Sequence, residues 1–428
     1  MGIKLSHGRV IDPASGFDGI ADVYIQGHAI AAIGRMPRGF KIAHEYLIKN
    51  LVVAPGLVDL GSRLREPGFE HKATISSEAR AAAQAGFTTL CCTPDTYPVL
   101  DNPAVVQHIH QRARAAQGAQ IQCVGALTVK LDGETLAEMH ALKAAGCIGV
   151  TNLDRVIKDT AVLKHALAYA ASAGLTVFLQ SEDYWLGRQG YMHESAMSTR
   201  LGIPGIPSAA EVIGLHRDLT LVAETGVRAH FCRISSAAAL APLHAARRAG
   251  LAVTADTSIM NLSFTADDVG EFDANFHVRP PLRARADRAA LRRAVRRGAL
   301  DAIAAYHEPH DADAKAAPFA LSEPGASTLD TFLPALLSLV DAQVFDLPTA
   351  MAAASWHPNR ILGLSGGTLA VGAPADLCVF DPALQWTVTE QTLASHGKNN
   401  PWLRHQVRGR NRLTLVAGTV VYDNLTPR

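Results

Sequence analysis

Several apolar runs of this chain end in side chains able to do chemistry. Val52–Leu60 leads into Gly61, Ser62, Arg63, Arg65 and Glu66, and Cys147–Val150 leads into Thr151 and Asn152. Thr176–Leu179 is followed by Gln180, Ser181 and Glu182. Arg228–Ile234 carries Arg233, and Asp301–Ala305 is followed by Tyr306, His307 and His310. Imidazoles and carboxylates in such places would suit metal binding or proton transfer. A guanidinium has no lone pair to give and stays protonated, so Arg63 and Arg233 suit ion pairing instead. A divalent cation within a few ångströms of either would be repelled. His307, next to Tyr306, reads as a core or rim histidine. The chain contains no GxSxG, HExxH or Walker-type glycine loop, so no other site is nominated.

The elements that must position these residues alternate. Apolar β-type runs at Val52–Leu60, Thr88–Cys92, Ile121–Leu127, Cys147–Val150, Thr176–Leu179, Arg228–Ile234, Ala252–Ala255 and Asp301–Ala305 are separated by helical patterns. Those patterns include Ser77–Ala85, Val105–Ala116, Leu136–Ala145, Ala161–Ala173, Ala237–Ala249 and Ala289–Arg297. Eight runs with helices between them match an α/β fold of the (β/α)8 TIM-barrel kind, whose chemistry sits at the strands' C-terminal ends. Gly86, Gly146, Gly174 and Gly250 stand where left-handed helix caps belong. Both ends of the chain differ from this middle. Ile3–Asp12, Ala21–Ile25 and Ala29–Ile33 read as strands and a hairpin, and short strands return at Leu377–Phe380, Trp386–Val388 and Leu413–Tyr422. The expected organisation is a small β-sandwich domain shared by residues 1–52 and 359–428 around a barrel at 53–358.

Composition narrows the class of function. The chain has 428 residues, 48% hydrophobic and 18% charged, with a formal net charge of +1. No basic face or run recommends a nucleic acid or an anionic membrane as partner. No apolar stretch is long enough for a membrane span, and the first residues do not show the basic-then-apolar pattern expected of a signal peptide. Six scattered cysteines without CxxC spacing read as reduced, buried thiols, which points to the cytoplasm.

In combination, several motifs resemble those of the dihydroorotase family, within the amidohydrolase superfamily. They are Ala54-Pro55-Gly56-Leu57-Val58-Asp59 with Leu64-Arg65-Glu66-Pro67-Gly68, Thr93-Pro94-Asp95-Thr96, Arg279-Pro280-Pro281-Leu282-Arg283, His307-Glu308-Pro309-His310, and Val371-Gly372-Ala373-Pro374-Ala375-Asp376-Leu377. The resemblance spans essentially the whole chain. It implies a site for two zinc ions: a His-x-His pair on strand one, an acidic residue or modified lysine on strand four, histidines on strands five and six, and an aspartate on strand eight. The matching positions here are Gly61, Arg63, Asn152, Gln180, Arg233 and Tyr306, so every implied ligand is replaced. Ile259-Met260-Asn261-Leu262 likewise stands where histidines are common on strand seven. Arg65 and His310 match the residues that grip the substrate carboxylate, while Asp95 and Arg279 replace asparagines.

The expectation is therefore no zinc, no metal cofactor and no hydrolase: a non-enzymatic dihydroorotase-like protein of pyrimidine synthesis. Arg63 and Arg233 are expected either to mark a decayed site or to pair with Asp59 or Glu182 and hold the strand ends together. The resemblance further implies an assembly role beside the catalytic chain of aspartate transcarbamoylase, in equal numbers and with self-dimers. A different reading is an active metal-dependent cyclic amidohydrolase of dihydroorotase, hydantoinase or allantoinase type with an atypical site. A third is a small-ligand sensor.

Overall fold

A computed structural model describes residues 2–425; the outermost terminal positions, 1 and 426–428, lie outside it. Eight parallel strands form a nearly closed barrel wrapped by helices. They are Leu57–Ser62, Phe87–Cys92, Gln120–Ala126, Cys147–Thr151, Thr176–Leu179, Ala229–Phe231, Val253–Ser258 and Ala302–Ala304, hydrogen-bonded in sequence order. The eighth returns beside the first: Tyr306 N and His307 N donate to the Asp59 carboxylate at 2.8 and 3.2 Å, and Arg63 N donates to His307 O at 2.8 Å. The lumen is packed with Val58, Leu60, Cys91, Val124, Phe178, Ala302 and Ala304, so it is a core rather than a pore.

The apolar run expected as a single first strand divides. Val52–Pro55 belongs to the terminal sheet, and the barrel strand begins at Leu57. Gly56 makes the step, because a Cβ there would lie 2.1 Å from the Thr88 side chain. Residues from both ends form one sheet of eight strands. Its core mixes Leu5, Val23, Ile25 and Val53 with Leu377, Val379, Leu413 and Leu415. The expected hairpin is present, with Gln26 paired to Ala29 around Gly27 in the left-handed region.

The helices that hold the strand ends begin and end as their sequences dictate. Thr74 caps Ile75–Ala85 through a reciprocal box with Ser77, and Asp159 caps Thr160–Ala173. Gly86, Gly146 and Gly174 are left-handed caps, whereas Gly250 sits one residue beyond the cap at Ala249. Between strands five and six, where the sequence suggested nothing regular, lie Tyr184–Gly187, Ala196–Leu201 and Ser208–Thr225. The last has a weak apolar stripe and opens on Pro207 without a side-chain cap, which hides it from pattern reading.

Candidate functional site

The C-terminal ends of the strands are held together by charge. Arg63, just past strand one, reaches three carboxylates: Asp95 at 3.0 Å, Glu308 at 3.1 Å and Asp154 at 3.2 Å. The Asp95 contact is ionic only, because Arg63 Nε is not aligned to donate. Arg233, past strand six, pairs with the other Glu308 oxygen, donates to Arg279 O at 2.7 Å and lies 4.2 Å over the Tyr306 ring. Arg279 in turn pairs with Glu182. Burial alone would push the Asp154 carboxyl up; Arg63, Arg233 and Arg279 outweigh it and bring it down to about 2. Two cations sharing one glutamate, with two aspartates nearby, satisfy each other only as a set.

This cage corrects the expected pairing. The partners of Arg63 and Arg233 are Asp95, Asp154 and Glu308, not Asp59 or Glu182. Asp59 is already saturated by the two backbone amides and by Ser62 Oγ at 2.5 Å, and Glu182 belongs to Arg279. Asp95, which stands where the resemblance implies an asparagine beside the substrate, serves Arg63 and accepts from Thr93 Oγ1 at 2.7 Å. Sequence reading missed Asp154, two residues beyond the aligned Asn152, and Glu308. The His307-Glu308-Pro309-His310 motif was the available signal for the second.

The other aligned positions go elsewhere. Asn152 accepts from Thr128 Oγ1 and donates to Arg155 O, both at 2.8 Å; it lines a small cleft with Gln180, away from the cage. Arg65 is buried, donates to Pro309 O at 2.9 Å and faces His310 Nε2 at 3.0 Å. Burial, reinforced by that guanidinium, drives His310 down to about 2, so its ring is neutral. Arg65, Arg233 and Tyr306 all adopt left-handed backbone, a costly conformation for such side chains. Between Arg233, Arg279, Tyr306 and Glu308 the remaining cavity is about 20 Å³, less than a substrate ring needs. His307 is fully buried, bonded to Glu78 at 2.7 Å and accepting from Thr328 N.

Two zinc ions do not fit Gly61, Arg63, Asn152, Gln180, Arg233 and Tyr306, because none of these side chains offers an imidazole, thiolate or carboxylate and two are cations. Deeper in the lumen a different set of donor types converges. His230, Cys232 and Asp256 each place one ligand atom within 4.8 Å of the others. His230 Nε2 lies 3.1 Å from Asp256, which also accepts from Tyr306 Oη at 2.5 Å and from Arg233 N. Burial holds the Cys232 thiol protonated, with Asp256 adding to the effect. A metal there would have to displace the thiol proton and the tyrosine hydrogen bond.

Residues 50–239 match the family described as Dihydro-orotase-like. A dihydroorotase-like protein from Pseudomonas putida is 44% identical over 422 residues, covering 99% of either chain. The chain belongs to the dihydroorotase-like family. Within it, a dihydroorotase from Anaeromyxobacter dehalogenans is 41% identical over 97% of this chain and 96% of its own. An L-hydantoinase (dihydropyrimidinase) from Arthrobacter aurescens superposes with a TM-score of 0.87, at 20% identity over 99% of this chain and 96% of that one, a likeness of fold. These relatives correct the expectation that a dihydroorotase-like chain without the implied zinc ligands is no enzyme: proteins as close as 41% carry an enzyme's name, and the lumen holds His230, Cys232 and Asp256 as potential metal donors.

Proposed function

We propose that this dihydroorotase-like chain acts in pyrimidine synthesis as an assembly partner of the aspartate transcarbamoylase catalytic chain. The observation that carries the proposal is the face at the strands' C-terminal ends. Its centre is closed by the Arg63–Asp95–Asp154–Glu308–Arg233 cage, while its loops present large apolar side chains to solvent. Tyr97 is 73% exposed, Trp185 67% and Leu321 74%, on the segments that follow strands two, five and eight. Exposed aromatics of this kind anchor protein contacts when buried by a partner. The transferase itself is chosen on the motif resemblance, and pyrimidine chemistry would be the shared setting.

Co-expression with the same organism's transcarbamoylase and sizing at micromolar concentration tests this. The expected result is one co-eluting species with equal numbers of the two chains, shifted at least tenfold toward the free proteins by Trp185→Ala with Tyr97→Ala. Separate elution, with the transferase equally stable and active alone, would overturn it.

The second reading, cyclic-amide hydrolysis at an atypical metal site, is favoured by one observation, the convergence of His230, Cys232 and Asp256. Metal content and dihydroorotate turnover, each compared with Asp256→Asn, would separate it from the first.

A further inference from the structure

At the opposite end of the barrel from the charge cage, an open cavity of about 470 Å³ lies under strands five to eight. Its floor is made by the strand starts and its wall by the helical segment 352–362. That volume falls in the range of small-molecule sites, well above what a bare ion fills.

Two cations line it with no carboxylate partner among the described residues. Arg228 donates from Nε to Thr176 Oγ1 at 2.7 Å, which leaves its terminal nitrogens for another acceptor. Arg360 rests 5.3 Å from the Trp356 ring, so its guanidinium is held without being neutralised. Asp301 also lines the cavity, but its charge is matched by Arg247, which pairs with the same oxygen, Oδ2, that accepts from Ala255 N. Trp356 and Ile361 give the cavity an apolar side.

The local helix geometry builds this arrangement. Residues Ala352–Trp356 form a π-helical turn between Leu347–Met351 and His357–Leu362. Such turns cost regular hydrogen bonding and recur at functional sites. Here Trp356 and Arg360, four residues apart, lie on one face and both line the cavity. His357 is fixed beside them by its Nδ1 contact with Asp301 O at 2.8 Å.

From this geometry we infer that the cavity beneath the barrel is a binding site for a nucleoside monophosphate, with the phosphate between Arg228 and Arg360 and the base against the Trp356 and Ile361 wall. Two guanidiniums match a phosphate dianion, and the apolar wall gives a flat ring a place out of water. The site is separate from the cage and does not depend on the assembly role.

Calorimetric titration of the full chain with UMP, AMP, uridine and inorganic phosphate provides the test. At least one of the two nucleotides is expected to bind with a dissociation constant below about 1 mM, at least tenfold tighter than uridine or phosphate. Arg228→Ala with Arg360→Ala should weaken that binding at least tenfold. Both side chains are exposed, and Arg360→Gln alone serves if the pair disturbs folding. Trp356→Leu should weaken nucleotide binding while leaving phosphate unchanged. The inference is overturned if neither nucleotide binds at millimolar concentration, if phosphate binds as tightly as they do, or if binding survives the arginine substitutions in a folded protein.

Discussion

Tyr306 stands where a side chain at position 61 would have to go. A Cβ built on Gly61 would lie 2.8 Å from Cε1 of the Tyr306 ring, which is itself clamped by Asp256 below and Arg233 above. Gly61 and Tyr306 are therefore one packing decision, although they sit 245 positions apart in sequence. Gly61→His should destabilise the chain by about 1–3 kcal/mol through overpacking, and Tyr306→Ala introduced beside it should recover part of that loss. A double-mutant cycle from urea midpoints reads this directly, and additive losses would show that the contact is not shared. Asp154 gives a second, pH-dependent prediction. Its folded value of about 2 lies below the usual carboxylate range of about 3.9, so the ionised form favours the folded state. That contribution is complete at pH well above 4 and is lost as pH falls toward 2. With the side chain 22% open to water, it should amount to on the order of 1–2 kcal/mol. The stability difference between the protein and Asp154→Asn should thus shrink between pH 5 and pH 2.5. A difference that stays constant over that window would show that Asp154 is not held by its arginines.

At the scale of elements, the barrel was legible because parallel strands buried on both faces leave apolar runs, and glycine caps punctuate the helices between them. Where two physical demands overlapped, sequence reading stopped. Val52–Leu60 is continuous in hydrophobicity, yet Val52–Pro55 pairs with Leu377–Phe380 and Leu57 turns into the barrel. Nothing in the apolar pattern marks that division; only the crowding of Gly56 against Thr88 does. The candidate site was legible in outline for a similar reason. Strand order predicts which residues meet at the mouth, so Arg63 and Arg233 could be placed there from sequence. Their partners depend on loop paths after the strands. Asp154 swings in because Leu153, just before it, takes a left-handed backbone, while Asn152 is drawn away by Thr128 and Arg155. Periodicity carries no information about such turns.

Across the whole molecule, polar contacts bridge the terminal sheet and the barrel. Asn411 Nδ2 donates to Ala83 O and Gln84 O, and Thr414 Oγ1 donates to Ala83 O at 2.6 Å, so the sheet completes the end of the barrel's first outer helix. Farther along, Ser395 Oγ and His396 N both donate to Glu78, whose carboxylate also holds His307 at the end of strand eight. A buried and a partly buried helix carbonyl, together with a buried carboxylate, would lose these partners if the sheet detached. The two parts should therefore unfold together, although the sheet has a core of its own. Calorimetry at neutral pH should give one transition, with calorimetric and van't Hoff enthalpies in agreement. Asn411→Leu with Thr414→Val keeps apolar bulk while removing the bridging donors. It should split or broaden that transition and lower its midpoint, because without the bridging hydrogen bonds separation of the sheet costs less than before. Two resolved transitions in the unaltered protein would show instead that the sheet and barrel are energetically independent.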